Sequence, residues 1–152
     1  MKATIRKAEA GDREQLASLL LAYIVGFYGC EPPADRDLAL LQDRLAEGSI
    51  GCQFVAEREG TLVGFATLYG SYSTLRARPV AVLNDLYVAE EERGRGLGQG
   101  LFEACAAYAA EQGYASMSWE TDRENTAAQR FYDRMGGRAG SWLVYSLELD
   151  GR

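Results

Sequence analysis

The sequence predicts an α/β fold: one mixed β-sheet with helices packed on its faces. Three observations carry this. Helix-period and β-rich segments alternate in the order β-α-α-β-β-β-α-β-α-β. Two β-rich runs flank the turn pair Glu59-Gly60, the pattern of a hairpin. A strand–helix–strand unit spans 82–120, and such a unit has parallel strands and a right-handed crossover.

Each element has its own signal. After an N-terminal strand, "GDREQLASLLLAYIVGF" reads as a helix, with Asp12 as N-cap and Gln15 in capping-box relation to it. Leu16, Leu20, Tyr23, Ile24 and Phe27 follow at helical spacing, and "YGCEPPAD" ends the run. A second helix covers about 36–47, with Leu38, Leu41 and Leu45 on one face and Gly48 closing it. The hairpin "CQFVAER"–"TLVGFATLY" comes next, then "GSYSTLRARP" as a polar loop. "VAVLNDLYV", 80–88, is the most strand-like segment. A helix follows the glycines at 94–100 and runs to about 112, with Leu97, Leu101, Cys105 and Tyr108 on its apolar face. "YASMSWET" reads as a strand, "NTAAQRFYDRM" as a short helix stopped by Gly136-Gly137, and "SWLVYSLEL" as the last strand. No repeat or linker interrupts the 152 residues, so a single domain spanning 1–152 is expected.

Composition narrows the function. The chain is 47% hydrophobic and 25% charged, an ordinary globular profile. Neither a signal-peptide core nor an apolar run of membrane-spanning length is present, so a cytoplasmic protein without a membrane partner is expected. The net charge of −6 argues against a nucleic-acid partner, which calls for a basic face. Cys30, Cys52 and Cys105 are scattered, so reduced, mostly buried thiols and no metal site are expected. With no histidine in the chain, any acid–base work falls to Asp, Glu, Tyr or water.

Glycines at 94, 96, 98 and 100 stand where a helix begins, although each costs a helix interior about 1 kcal/mol relative to alanine. They allow positive φ and close backbone approach, and the N–H groups at a helix start form an anion site. Arg93 and Arg95 add positive charge, so the stretch reads as a seat for a phosphate-bearing ligand. The dinucleotide fingerprint fails because positions 99 and 101 are Gln and Leu, and no Lys follows a glycine as a P-loop requires.

"RGRGLG", 93–98, directly after "LNDLYVAEEE", resembles the acetyl-CoA signature R/Q-x-x-G-x-G/A of the GNAT N-acetyltransferases, with Arg93, Gly96 and Gly98 at its fixed positions. "NTAAQRFYDRMGG", 125–137, is similar to that family's N-x-x-A-x-x-F/L-Y-x-x-x-G helix through Asn125, Ala128, Phe131, Tyr132 and Gly136. The resemblance implies a GNAT fold with a V-shaped splay between the 80–88 and 115–120 strands. It also implies acetyl-CoA as cosubstrate, cradled along Arg93, Gly94, Arg95, Gly96, Leu97, Gly98, Gln99 and Gly100. The pantetheine arm would pair with Leu86, Tyr87 and Val88, with Asn125, Ala128 and Tyr132 contacting the cosubstrate from the next helix. Asn125 also reads as a plain N-cap. Members of the family are often dimers, and a homodimer is among the assemblies the resemblance allows.

Acetyl transfer to an amine requires a neutral nitrogen, although an alkylammonium titrates near ~10.4, and a proton for a thiolate whose thiol titrates near ~8.5. By resemblance Tyr132 is the general acid. For the base, Asp85 and Asn84 are adjacent, and strict alternation points them to opposite faces of the strand. The polyamine-acetylating branch often has glutamate where Asn84 stands; asparagine is no base, which leaves water, Asp85, a tyrosine or Glu120. Substrate candidates, from the segments that contact substrate in the fold, are Tyr28, Glu31, Tyr72 and Trp142; Tyr23 falls on the apolar helical face and reads as core. A small primary amine (polyamine, lysine-like compound or amino acid) is the expected acceptor. Acetylation of a protein or peptide, or acyl-CoA binding without turnover, are the alternatives.

Overall fold

Glu59 and Gly60 take left-handed backbone angles, φ 50° and 81°, the geometry of a two-residue hairpin turn. From that turn β2 (Gly51–Arg58) and β3 (Thr61–Ser73) run antiparallel. In the computed structural model, which describes residues 2–150, β1 (Thr4–Lys7) pairs with β2 and β4 (Arg78–Val88) with β3, both antiparallel. β5 (Met117–Ser118) lies parallel to β4, giving a mixed sheet in the order β1-β2-β3-β4-β5. The crossover from β4 to β5 is α3 (Leu97–Glu111). The predicted α/β class holds.

Residue alternation divides the core between two faces. On one, α1 (Arg13–Leu21) buries Leu16 and Leu20 against Val55, Leu62 and Phe65, with Leu38 of α2 (Asp35–Glu47) packed alongside. On the other, α3 lies so close to β3 that a Cβ on Gly64 would sit 3.4 Å from Leu101 and 2.9 Å from the Tyr87 carbonyl. Cys52 and Cys105 are buried, and burial pushes the Cys105 thiol up to about 12, so it stays protonated. Cys30 is exposed; the thiols are thus mostly buried, as expected. Gly48 closes α2 in the left-handed conformation, φ 76°. Among the described residues no helix is long and apolar enough to cross a membrane.

Several local expectations are corrected. Asp12 is the N-cap residue of α1, but its side chain makes no capping hydrogen bond there; it ends a 3-10 turn at Ala10–Asp12, takes a bidentate grip from Arg6 (2.7 and 2.9 Å) and accepts the Glu9 N–H at 2.7 Å. Gln15, freed from any box, holds the β2–β3 turn: its amide donates to Gly60 O at 3.1 Å and its oxygen accepts from Leu62 N at 2.9 Å. Of the single helix expected to reach Phe27, only α1 is α-helical; Ala22–Phe27 continues it as a π-helix. The polar stretch 70–79 is mostly ladder, since Gly70 to Ser73 pair with Ala81 to Arg78. β5 has two residues rather than the expected six, and 141–149 forms no strand. Its apolar, β-branched and aromatic residues suit a strand, yet a strand needs a ladder partner, and Trp142, Tyr145 and Leu149 are 90%, 88% and 90% exposed.

The Arg6 guanidinium holds the Asp12 carboxyl below the usual carboxylate range, with burial opposing. A depressed folded-state value means stability fully present above the unfolded value near ~3.9 and lost as pH falls through the folded one. Asp12→Asn is expected to destabilise the fold by about 2 kcal/mol at neutral pH in urea unfolding. The gap to the unmodified protein should shrink steadily below about pH 4.

By its internal contacts the chain divides into two compact units, Met1–Glu120 and Thr121–Arg152. The second holds α4 (Thr126–Arg134), stopped where Gly136 turns left-handed at φ 92°.

Candidate active site

Asn84 is the extra residue of a β-bulge. Thr67 pairs with Asp85, and the next residue, Leu68, pairs with Leu83, so two residues of β4 meet one interval of β3. The bulge resets alternation. Asp85 therefore shares the face of Thr67, Phe65 and Tyr87 rather than that of Leu83. Exposed Asn84 folds back and donates from Nδ2 to Asp85 Oδ1 at 3.0 Å. The two adjacent polar residues thus act as one unit instead of pointing apart.

The π-helix supplies the wall that Asp85 faces. Tyr28 N–H reaches back five residues to Tyr23 O at 3.0 Å, and that widened turn brings Tyr28, as well as Phe27, against Tyr23. Ring centroids lie 6.3 Å apart for Tyr23–Phe27, 5.0 Å for Tyr23–Tyr28 and 5.5 Å for Tyr23–Tyr87. The reading of Tyr23 as core is half the story: its ring packs edge-on to Phe65, while its phenol interacts with Asp85 and Tyr28. Burial, reinforced by the Asp85 charge, pushes the Tyr23 phenol far above its ordinary value. Tyr69 is raised for the same two reasons. Both phenols stay protonated across the physiological range. Beneath them buried Gln53 donates to Thr67 Oγ1 at 3.1 Å, fixing the residue paired with Asp85.

Beyond Val88 the chain makes a 3-10 turn, Glu90–Glu92, and enters the glycine stretch. Arg93 Nε donates to Val88 O at 2.8 Å, and its guanidinium lies over the rings of Phe27 (5.6 Å) and Tyr87 (5.7 Å). Glu92 takes Arg58 at 2.8 Å and Arg95 at 3.6 Å. Gly94 and Gly96 are left-handed, φ 80° and 82°, with open space where a Cβ would stand. No side chain caps α3, and its hydrogen-bond ladder is under way at Gly100 N to Gly96 O, 3.0 Å. The preceding N–H groups, of Leu97, Gly98 and Gln99, therefore have no partner within the helix. An open cleft beside them is lined by Lys2, Arg58, Arg95, Gly96 and Leu97. Backbone donors, a positive helix end and three cations match the chemistry of a phosphate-bearing cosubstrate such as acetyl-CoA. Gly100 serves a different purpose: a Cβ there would meet Ile5 at 3.0 Å, so this glycine lets α3 pack on β1.

β4 pairs with β5 only at Ala81–Met117 and Val82–Ser118, leaving 83–88, with Leu86, Tyr87 and Val88, free of a ladder on that side. In the second unit Asn125 caps α4, its Oδ1 accepting from Ala128 N at 3.1 Å, and Tyr132 packs edge-on to Phe131 at 5.3 Å.

Of the residues the sequence singles out, Asp85, Asn84, Tyr87, Arg93 and Tyr28 are gathered into one cluster. Glu31 lies exposed before α2, Tyr72 is 74% exposed on the β3–β4 ribbon, and Glu120 is exposed beyond β5; none joins the ring contacts. Trp142 is exposed in the second unit. Sequence reasoning passed over Phe27, Tyr69, Thr67 and Gln53. Phe27 shares a helical face with Tyr23 by its i,i+4 spacing, and the π-turn adds Tyr28 to that face.

The family model for the acetyltransferase (GNAT) family matches residues 15–137. An uncharacterized N-acetyltransferase of Bacillus subtilis (strain 168), YhfO, is 30% identical over 93% of each chain. The crystal structure of a probable acetyltransferase superposes with TM-score 0.85 at 29% identity, covering 98% of this chain and 99% of that one. The fold also matches AAC(6')-Iy in complex with the bisubstrate analog CoA-S-monomethyl-acetylneamine, with TM-score 0.85 at 20% identity over 99% of this chain and all of that one, 100%.

Proposed function

The chain belongs to the GNAT acetyltransferase family, whose members transfer acetyl groups to amines, and we propose on that premise that its acceptor is a primary amine of a small molecule. The observation that carries this reading is the Asp85 carboxylate, turned by the bulge toward neutral phenols on the face shared with Tyr87. A carboxylate so placed holds an ammonium and takes up its proton, which frees the nitrogen lone pair for attack. Asn84 orients that carboxylate through its 3.0 Å hydrogen bond and is not itself a base.

When bound, acetyl-CoA supplies the activated acetyl thioester. The N–H groups from Arg95 to Gln99 would hold its pyrophosphate, with Gly94 and Gly96 giving the backbone its shape. Leu86, Tyr87 and Val88 would pair with the pantetheine arm along the edge that β5 leaves unladdered. A backbone N–H near Tyr87 would meet the developing oxyanion. Arg93 would act from behind, tying the end of β4 to the π-helix rather than reaching phosphate. Asn125 and Ala128 would contact the cosubstrate from α4, and Tyr132 would protonate the leaving thiolate.

Thiol release from acetyl-CoA, assayed with a panel of small amines and a peptide, tests the reading. Small primary amines should support turnover and the peptide should not; the reverse order contradicts the proposal. Tyr132→Phe is expected to lower kcat by about 10²-fold, the lower end of general-acid contributions, with little change in KM for either substrate. Unchanged kcat removes Tyr132 from the role.

A further inference from the structure

The exposed half of the aromatic cluster has no task in holding the core together. Phe27 and Tyr28 are 52% and 61% exposed, unusual for adjacent aromatic side chains, yet both are fixed by ring contacts at 5.0 to 6.3 Å. They pack on Tyr23, whose ring meets Tyr87 at 5.5 Å and whose phenol interacts with Asp85. A rigid aromatic wall beside one carboxylate complements an ammonium attached to an apolar body, because the ring faces attract the cation and cover the body.

Charge in the cluster limits how many cations the acceptor carries. Asp85 is the carboxylate whose charge acts on both Tyr23 and Tyr69. At the opposite edge the Arg93 guanidinium lies over one face of Phe27 and one of Tyr87, so a second ammonium there would meet a like charge at short range. We propose that this cluster is the acceptor site and that it selects an amine bearing a single positive charge on an aromatic or otherwise apolar body, with the ammonium on Asp85 and the body on Phe27 and Tyr28. The inference rests on the acetyltransferase reading above. It sets polyamines and multiply charged amino sugars aside as preferred acceptors.

The test compares 2-phenylethylamine with 1,4-diaminobutane and spermidine, using the full chain, acetyl-CoA and thiol release. The kcat/KM for 2-phenylethylamine should exceed that for either polyamine by at least about ten-fold, as expected for burying an aromatic body and repelling a second charge. Tyr28→Ala should erase about ten-fold of that advantage through KM for the aryl amine, with KM for acetyl-CoA unmoved. Phe27→Leu, which keeps an apolar side chain, should give a smaller loss of the same kind. A preference for either polyamine, or equal losses for all amines in Tyr28→Ala, overturns the inference while leaving small-amine acetylation standing. No release with any amine overturns both, and thermal stabilisation by acetyl-CoA in that sample would show that the fold is not at fault.

Discussion

Asp85→Asn is expected to lower kcat/KM for the acceptor amine by about 10²–10⁴-fold, the range for removing a positioned acid–base group. The substitution is nearly isosteric. Its amide oxygen can still accept from Asn84 and from the Tyr23 phenol, so the fold and KM for acetyl-CoA should change little. What is lost is the negative charge and the place for a proton. The split between KM and kcat separates these two, and the pH profile checks both. If the carboxylate removes the proton, the deficit of the variant should narrow as pH approaches about 10.4, where an alkylamine is already neutral in bulk water. A deficit confined to KM would reduce Asp85 to an anchor, and no deficit at all would remove it from the site.

Gly96→Val is expected to raise KM for acetyl-CoA at least about ten-fold. Gly96 is the left-handed residue at the start of α3, φ 82°, and a β-branched residue pays roughly 1–2 kcal/mol or more to stay there. The cheaper response is for the turn to relax, which rotates the N–H groups of Leu97, Gly98 and Gln99 away from a common anion. Open space surrounds the added Cβ, so the core need not move and the unfolding midpoint should fall only modestly. Gly100→Leu should behave in the opposite way. Its side chain would press on Ile5, where even a Cβ stands at 3.0 Å, costing about 1–3 kcal/mol of stability. Binding of acetyl-CoA per folded molecule should then be nearly unaffected. If both variants lose stability and binding together, the two glycines do not have the separate duties described.

Most of the fold was legible because its signals are local. The Glu59-Gly60 turn, Gly48 after α2 and the cap at Asn125 each sit where the sequence puts them, since each depends on a few neighbouring residues. Asp12 and Gln15 look like a capping box only in one dimension. In space Arg6 is the stronger partner for the first, and the hairpin turn takes the second. The site was less legible for a related reason. Asp85 and Asn84 are evident from sequence, but the face each occupies depends on a bulge set by pairing with β3, and alternation alone gives the wrong answer. Tyr23 reads as core because its spacing is that of a buried helix face, and the π-turn that adds Tyr28 leaves no distinct pattern in composition. The segment 141–149 marks the limit of β-propensity: composition suits an extended chain, and only a partner strand turns it into a strand.

The most direct test is to incubate the purified chain with acetyl-CoA, a mixture of small primary amines and a lysine-containing peptide, then follow thiol release and identify products by mass spectrometry. The account predicts thiol release matched mole for mole by a small amine carrying one new acetyl group on nitrogen. Release matched only by acetylated peptide, or by free acetate, would contradict it.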